Sequence, residues 1–228
     1  MLTRRLCAPG LGLVPLMARA WAEEKAVMFD FSSTALGQLP PGFVTARTGG
    51  GANADWRVVE DRPGKKVLAQ LAADGTDVRF PLAIAPGIST ANLDVSVRFR
   101  AVAGVVDRAA GIAVRLTDAD NYYVVRANAL EDNVNFYRVV KGSRREIKGA
   151  ATKVASDVWH TLGLKAVDDR FTISFNEAAL FEVKDRIFRE AGKVALWTKA
   201  DSVTRFDAFR SRSWRDRRSC QDGTAAVP

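Results

Sequence analysis

The feature that most constrains this chain is a period of two. From Val95 to Phe209, apolar residues recur at every second position in short runs, and turn residues separate the runs. Side chains of a strand alternate between the two faces of a sheet. The pattern therefore describes half-buried strands, spaced as in a sandwich or barrel. Val95, Val97 and Phe99 fall on one side, with Ser96 and Arg98 opposite. Ile112, Val114 and Leu116 are expected inward, with Ala113 and Arg115 outward. Tyr123, Val125, Ala127 and Ala129 share one face, and Tyr122, Arg126 and Asn128 the other. Val134, Phe136 and Val140 form a stripe opposite Asn133, Asn135 and Tyr137. Phe171, Ile173 and Phe175 are inward, Val194 and Leu196 face in, and Phe206 and Phe209 mark a closing strand. Turns are expected at Asp118–Asn121, Leu130–Asn133, Lys141–Ser143 and Asp168–Asp169. Leu39–Gly42 and Thr48–Asn53 read as loops, and the one short helical turn falls at Phe188–Ala191. The fold class that follows is all-β, a two-sheet antiparallel sandwich formed by one domain.

A chain of 228 residues suits one large all-β domain. The N-terminus reads as an export signal over residues 1–22. Arg4 and Arg5 precede an apolar stretch from Leu6 to Met17, and Ala20-Trp21-Ala22 offers a small-residue cleavage site. The apolar stretch is too short to span a bilayer. A periplasmic or secreted location is the expectation, and the Arg pair also permits twin-arginine export. The domain proper then covers residues 23–214, and residues 215–228 read as a basic, disordered tail. Formal net charge is +8 and falls to +5 without Arg4, Arg5 and Arg19. No nucleic-acid motif accompanies the basic end, so a solvated tail is expected rather than a nucleic-acid partner. Cys7 lies in the signal and Cys220 in the tail, which excludes a Cys-based zinc site by count. Gly49-Gly50-Gly51 lacks the Lys-Ser/Thr and helix of a phosphate loop.

Several blocks together resemble a known superfamily. They are Asp120-Asn121-Tyr122-Tyr123-Val124-Val125-Arg126-Ala127-Asn128, then Asp132 to Gly142, Trp159-His160, Asn176, and Gly192 to Ser202 before Phe206-Asp207. Their order resembles the concanavalin A-like lectin/glucanase superfamily, most of all the 3-keto-disaccharide hydrolase domain family, and is similar to laminin G-like modules. The resemblance covers roughly residues 26–214. It implies a jelly roll whose curved sheet binds saccharides on its concave face, in an exported protein of glycoside breakdown. The opening segment, with Phe29-Asp30-Phe31 and Pro40-Pro41-Gly42, follows the hydrolase family only loosely. The Glu-x-Asp-x-x-Glu strand of the superfamily's endoglucanases is absent, which disfavours hydrolysis by paired carboxylates.

The polar stripe is the functional clue. Arg115, Tyr122, Arg126, Asn128, Asn135 and Tyr137 are expected on one face, with Trp197 and Lys199 beside them as platform and donor. Such groups make paired hydrogen bonds to hydroxyls and stack on sugar rings. An ordinary solvated sheet face fits the same pattern, and Trp197 also fits a core position. Glu131 and Asp132, in the loop after Asn128, are the candidate acid–base carboxylates, with Asp201 nearby. For a keto-sugar substrate, one base and an electrophilic donor such as Arg126 would suffice. His160 reads as framework. Asp118 and Asp120 can bind calcium through loop oxygens, though turn chemistry explains them as well. No other cofactor is expected, and the residues carry no signal for oligomeric state. Two functions remain: a saccharide-binding or saccharide-processing protein, acting on 3-keto-glycosides in its sharpest form, or a non-catalytic protein-interaction or recognition module of the periplasm or cell surface.

Overall fold

The computed structural model describes residues 21–216, so the expected signal up to residue 20 and the tail from residue 217 lie outside the described residues. The strands in chain order are β1 (Trp21–Phe29), β2 (Val44–Gly49), β3 (Trp56–Arg62), β4 (Lys65–Gln70), β5 (Arg79–Thr90), β6 (Asn92–Ala103), β7 (Ala109–Asp118) and β8 (Asn121–Asn128). They continue with β9 (Asn133–Val140), β10 (Ser143–Ala151), β11 (His160–Val167), β12 (Arg170–Phe175), β13 (Ala178–Lys184), β14 (Gly192–Trp197) and β15 (Val203–Asp216). Two antiparallel sheets result. One runs β13-β12-β11-β6-β15-β4-β3, with β1 also paired to β15, and the other runs β10-β9-β8-β7-β14-β5-β2. This is the expected jelly-roll sandwich. No helix occurs among the described residues, so Phe188–Ala191 is an open connection rather than a helical turn.

The shared core lies between the sheets and is filled by the inward stripes. Val95, Val97 and Phe99 meet Leu162, Leu164, Phe171 and Ile173 in one sheet; Ile112, Val114, Tyr123, Val125 and Phe136 face them from the other. His160 is framework, with Nε2 at 3.1 Å from the Ala155 carbonyl and Nδ1 at 3.2 Å from Asn176 Nδ2.

Bulges, where an added residue flips the alternation, shape two strands; the closing strand expected at Phe206 and Phe209 forms as β15, while the expected faces of Arg115 and Leu116 in β7 are exchanged. Phe206 and Phe209 are three positions apart and both fully buried. This needs the register shift between Asp207 and Arg210, where Ala208 adopts φ 46°. In β7 the register slips between Val114 and Asp118, and Arg115 has φ 49°. Leu116 therefore packs on the face turned away from the shared core, not inward. Arg115 turns to the core side instead. Its guanidinium lies 5.0 Å from the Phe171 ring centre and donates to the carbonyls of Ala91, Asp168 and Phe188. The loop expected from Thr48 begins two residues later. Thr48 and Gly49 end β2, Trp21 and Ala22 begin β1, and Arg215 and Asp216 extend β15 opposite them.

The face of the seven-stranded sheet turned away from the core, called the front face below, is rolled up. Thr48 on β2 sits four strands from Tyr122 on β8, about 19 Å in a flat sheet. Yet their hydroxyl oxygens are 2.7 Å apart. Arg144 on β10 lies 5.0 Å from the Phe80 ring of β5, five strands away. The two margins of the sheet meet, and a second apolar cluster fills the trough: Phe80, Leu82, Leu116, Tyr122, Val124, Tyr137, Val139 and Trp197. Gly111 makes room for the indole, since a Cβ there would come within 3.0 Å of Trp197 Cε3 and 2.7 Å of the Val125 carbonyl.

Tyr122 is the hub of this closure. Its oxygen meets Thr48 Oγ1 and accepts from Trp197 Nε1 at 3.2 Å, and burial pushes its hydroxyl up to about 12. Replacing it by Phe leaves the buried Trp197 Nε1 unpaired, whereas Thr48 Oγ1 still donates to the Ala119 carbonyl at 2.5 Å; one such orphan costs about 1–3 kcal/mol. Urea unfolding of Tyr122→Phe should show a loss of roughly 1–3 kcal/mol. A loss within error would mean the trough does not depend on this contact.

Candidate functional site

One end of the trough is polar, and a loop builds it. Gly104 takes φ 137°, and a Cβ there would meet the Asp107 carbonyl at 1.9 Å. The chain then wraps around the Asp201 carboxylate, to which Val105 N donates at 2.7 Å, Val106 N at 3.1 Å and Asp107 N at 2.9 Å. Arg79 pins the β14–β15 turn that carries Asp201 by donating to Ala200 O at 2.5 Å. Burial opposes the charge on Asp201, but the three amides outweigh it and hold its carboxyl below the usual range. Asp201 is thus consumed in positioning Asp107.

Asp107 is the centre of the site. It is 1% exposed, yet carries a carboxylate. Lys199 Nζ forms an ion pair with its Oδ2 at 2.9 Å, and Arg126 Nη1 lies 3.8 Å away. Burial pushes its carboxyl up, and the hydrogen-bonding and charge of Lys199 only partly offset this. Lys199 also donates to Asp77 Oδ1 at 2.5 Å. Burial works against the ammonium, but Asp77 and Asp107 hold its pKa up. Arg126 donates to Glu131 Oε2 at 2.6 Å and to Asn133 Oδ1 at 2.8 Å. Glu131 is pressed upward by burial, but hydrogen bonds from Arg126 and Asn133 bring it below the usual carboxylate range.

The trough floor continues from this cluster. Tyr137 lies between two guanidinium groups, Arg144 at 4.6 Å and Arg126 at 5.4 Å from its ring centre. Asn135 Nδ2 donates to Tyr137 Oη at 3.0 Å and to Glu146 Oε2 at 2.9 Å. Several polar atoms here are buried without a hydrogen-bond partner: Asp107 Oδ1, Arg126 Nε, Asn128 Nδ2, Arg144 Nη1, and Thr198 Oγ1 at the exit of β14. Buried polar groups in folded proteins are nearly always paired. A concentration of orphans in one place marks where a polar guest or bound water belongs.

The structure gathers most of the residues expected from sequence. Tyr122, Arg126, Asn128, Asn135, Tyr137, Trp197 and Lys199 share the trough, and Glu131 stands at its rim with its side chain 48% exposed. Three placements differ. Arg115 faces the core, for the reason given above. Trp197 is fully buried and offers no open stacking platform, because the rolled sheet and Arg144 cover it. Asp132 turns away from the trough: its carboxylate accepts from Lys153 Nζ at 2.7 Å and Val154 N at 3.0 Å, which closes a loop. Asn128 keeps only its amide nitrogen free, since its Oδ1 accepts from Leu130 N at 2.9 Å.

Sequence reasoning missed Asp107, Asp77 and Arg144. Arg144 was within reach, because it follows the Lys141-Gly142 turn by two residues and pairs with Val139. For Asp107 only the preceding Gly104 hinted at a special loop. Asp118 spends its oxygens on Asp120 N and Asn121 Nδ2. No group of three His, Cys, Asp or Glu side chains able to hold a metal occurs among the described residues. Nor is any helix there long and apolar enough to cross a membrane.

Solved structures share this architecture. A carbohydrate binding module CBM66 from Bacillus subtilis superposes with TM-score 0.60 at 22% identity, over 75% of this chain and 96% of that one. A structure described as a native glycosidic hydrolase gives 0.56 at 14%, over 89% and 97%. A Bacillus licheniformis β-glucanase gives 0.50 at 10%, over 83% and 98%. At such identities the likeness establishes the concanavalin A-like jelly-roll fold. No family model and no curated protein matches the sequence.

The Asp201 clamp has a pH signature. A carboxyl whose pKa is depressed by folding stabilises the protein above its unfolded value, and that contribution disappears as pH falls through the folded value. Asp201→Asn should therefore lower stability at pH 7 by about 1.5–3 kcal/mol, the range for hydrogen bonds to a charged group. It should also speed hydrogen exchange at the amides of Val105, Val106 and Asp107. Below the folded pKa of Asp201, the gap between variant and wild type should shrink. Unchanged exchange at these three amides would show that the carboxylate does not hold the loop.

Proposed function

We propose that the chain is an exported saccharide-binding protein whose site is the polar end of the front-face trough. The observation that carries this is the set of unpartnered buried polar groups on Asp107, Arg126, Asn128 and Arg144, set beside aromatic rings. Sugars present hydroxyls that take paired hydrogen bonds from such groups and an apolar ring face that rests on aromatic side chains. The solved structures that share the fold include a carbohydrate binding module and glycoside-cleaving enzymes, which supports the same assignment.

The finer proposal is turnover of a 3-keto-glycoside. The ketone acidifies the neighbouring C–H, so one general base and one electrophilic donor serve. Asp107 is the carboxylate suited to the base, because burial raises its proton affinity and Lys199 and Arg126 flank it. Glu131 is already held by Arg126 and is the weaker base, and Asp132 lies outside the trough. Arg126 is the donor that would polarise the ketone oxygen.

The test is a panel of neutral and acidic oligosaccharides and 3-keto-disaccharides, with and without calcium. Binding would be read by calorimetry and turnover by product analysis. Binding should weaken at least about tenfold, or 1.4 kcal/mol, in Glu131→Gln and Asp107→Asn, and stay unchanged in Arg98→Ala on the opposite sheet. Turnover of the keto-disaccharide should vanish in Asp107→Asn. Silence across the panel would refute saccharide binding and favour a protein-interaction module.

Asp107→Asn should also behave unusually in stability. A carboxyl whose pKa is raised by folding destabilises the fold as pH rises through its unfolded value, so the neutral amide removes a cost that is present at pH 7. The melting temperature of Asp107→Asn should equal or exceed that of wild type at pH 7, with the difference closing at low pH. A clear drop at pH 7 would show that the charge is well paired and structural.

A further inference from the structure

We infer that the trough selects an acidic saccharide, with a uronate carboxylate seated on Arg144. This rests on the saccharide assignment above and narrows it to a ligand class.

Arg144 differs from every neighbouring cation. Arg126 has its charge answered by Glu131 and Asp107, although its Nε lacks a hydrogen-bond partner, and Lys199 is paired with Asp77 and Asp107. Arg115 and Arg79, both fully buried, are satisfied by backbone carbonyls. Among the described residues, no hydrogen bond or ion pair engages the Arg144 guanidinium, and its Nη1 is buried without a partner. Its contacts are aromatic: Tyr137 at 4.6 Å, Phe80 at 5.0 Å and Trp197 at 5.9 Å from the ring centres. Burial pulls its pKa down, with Arg126 adding repulsion and Tyr137, Asp107 and Asp77 opposing it.

The acids nearby do not answer this charge. Glu146 is bound by Asn135, Glu131 by Arg126 and Asp77 by Lys199. A planar fork of donors, fixed on rings and lacking an anion, matches the two oxygens of a carboxylate. A sugar hydroxyl accepts fewer of these bonds and supplies no counter-charge. Arg144 stands on β10, the margin of the sheet, and is half-buried. A carboxylate therefore reaches it without passing through the core.

The decisive comparison uses oligogalacturonate, oligoglucuronate and oligomannuronate against the same oligomers after carboxyl reduction, titrated calorimetrically into the full chain. At least one oligouronate should bind about tenfold or more tightly than its reduced form, with an affinity that falls as salt is raised. Arg144→Gln should erase that difference. Arg144→Lys, which keeps the charge but not the fork, should recover part of it. Thermal melts of both variants confirm folding. Equal binding of acidic and reduced forms, or full uronate binding by a folded Arg144→Gln, overturns the inference and leaves the saccharide assignment standing. Failure of both forms of every oligomer to bind overturns both.

Discussion

The front-face site exists because one sheet closes on itself. Contacts between its two margins, Thr48 with Tyr122 and Arg144 with Phe80, convert an open sheet surface into a trough with an apolar floor. The sandwich core alone would not do this. It needs only one face of each sheet, and the other faces of antiparallel sheets are commonly left to solvent. Here the second face is packed as well, around a fully buried indole and two tyrosines. Rolling removes polar groups at the trough's end from water; this burial is the main cause of the raised proton affinity of Asp107, and Arg144 stands there without a counter-ion.

The loop at the open end shows how local chemistry fixes a buried charge in place. Asp201 receives three successive backbone amides, so the turn from Gly104 to Asp107 has one conformation. Asp107 enters the trough as the next side chain of that turn. A well-solvated loop would let this carboxylate escape to water. The clamp prevents the escape, and the strained φ of Gly104 is tolerated because no Cβ is present.

The period of two made the sandwich legible before any coordinates. Val95, Tyr123, Phe136 and Phe171 fall where alternation puts them, and so do Arg126, Asn128, Asn135 and Tyr137 on the opposite face. Alternation fails where the backbone adds a residue. Arg115 and Leu116 exchange faces at such a point, and only a left-handed φ at a non-glycine residue reveals it. Curvature is the other illegible quantity. Trp197 reads as a surface platform if the sheet is open and as core if it is rolled, and contacts among residues dozens of positions apart decide between them. The polar run Ser143-Arg144-Arg145-Glu146 hides a strand because its apolar content is low, and Arg144 went unseen with it.

Stability and function pull against each other in the trough. A hydrophobic side chain in place of Asp107 or Arg144 would fill the roll without burying a charge, and buried ionic groups are often no more stabilising than well-packed apolar ones. Elsewhere two fully buried cations are well satisfied, Arg115 by backbone carbonyls on three connections and Arg79 by the carbonyls of three loops. The same chain leaves Asp107 and Arg144 short of partners a few ångströms from rings and hydrogen-bonding side chains. That contrast within one molecule is the physical ground on which the saccharide site is proposed.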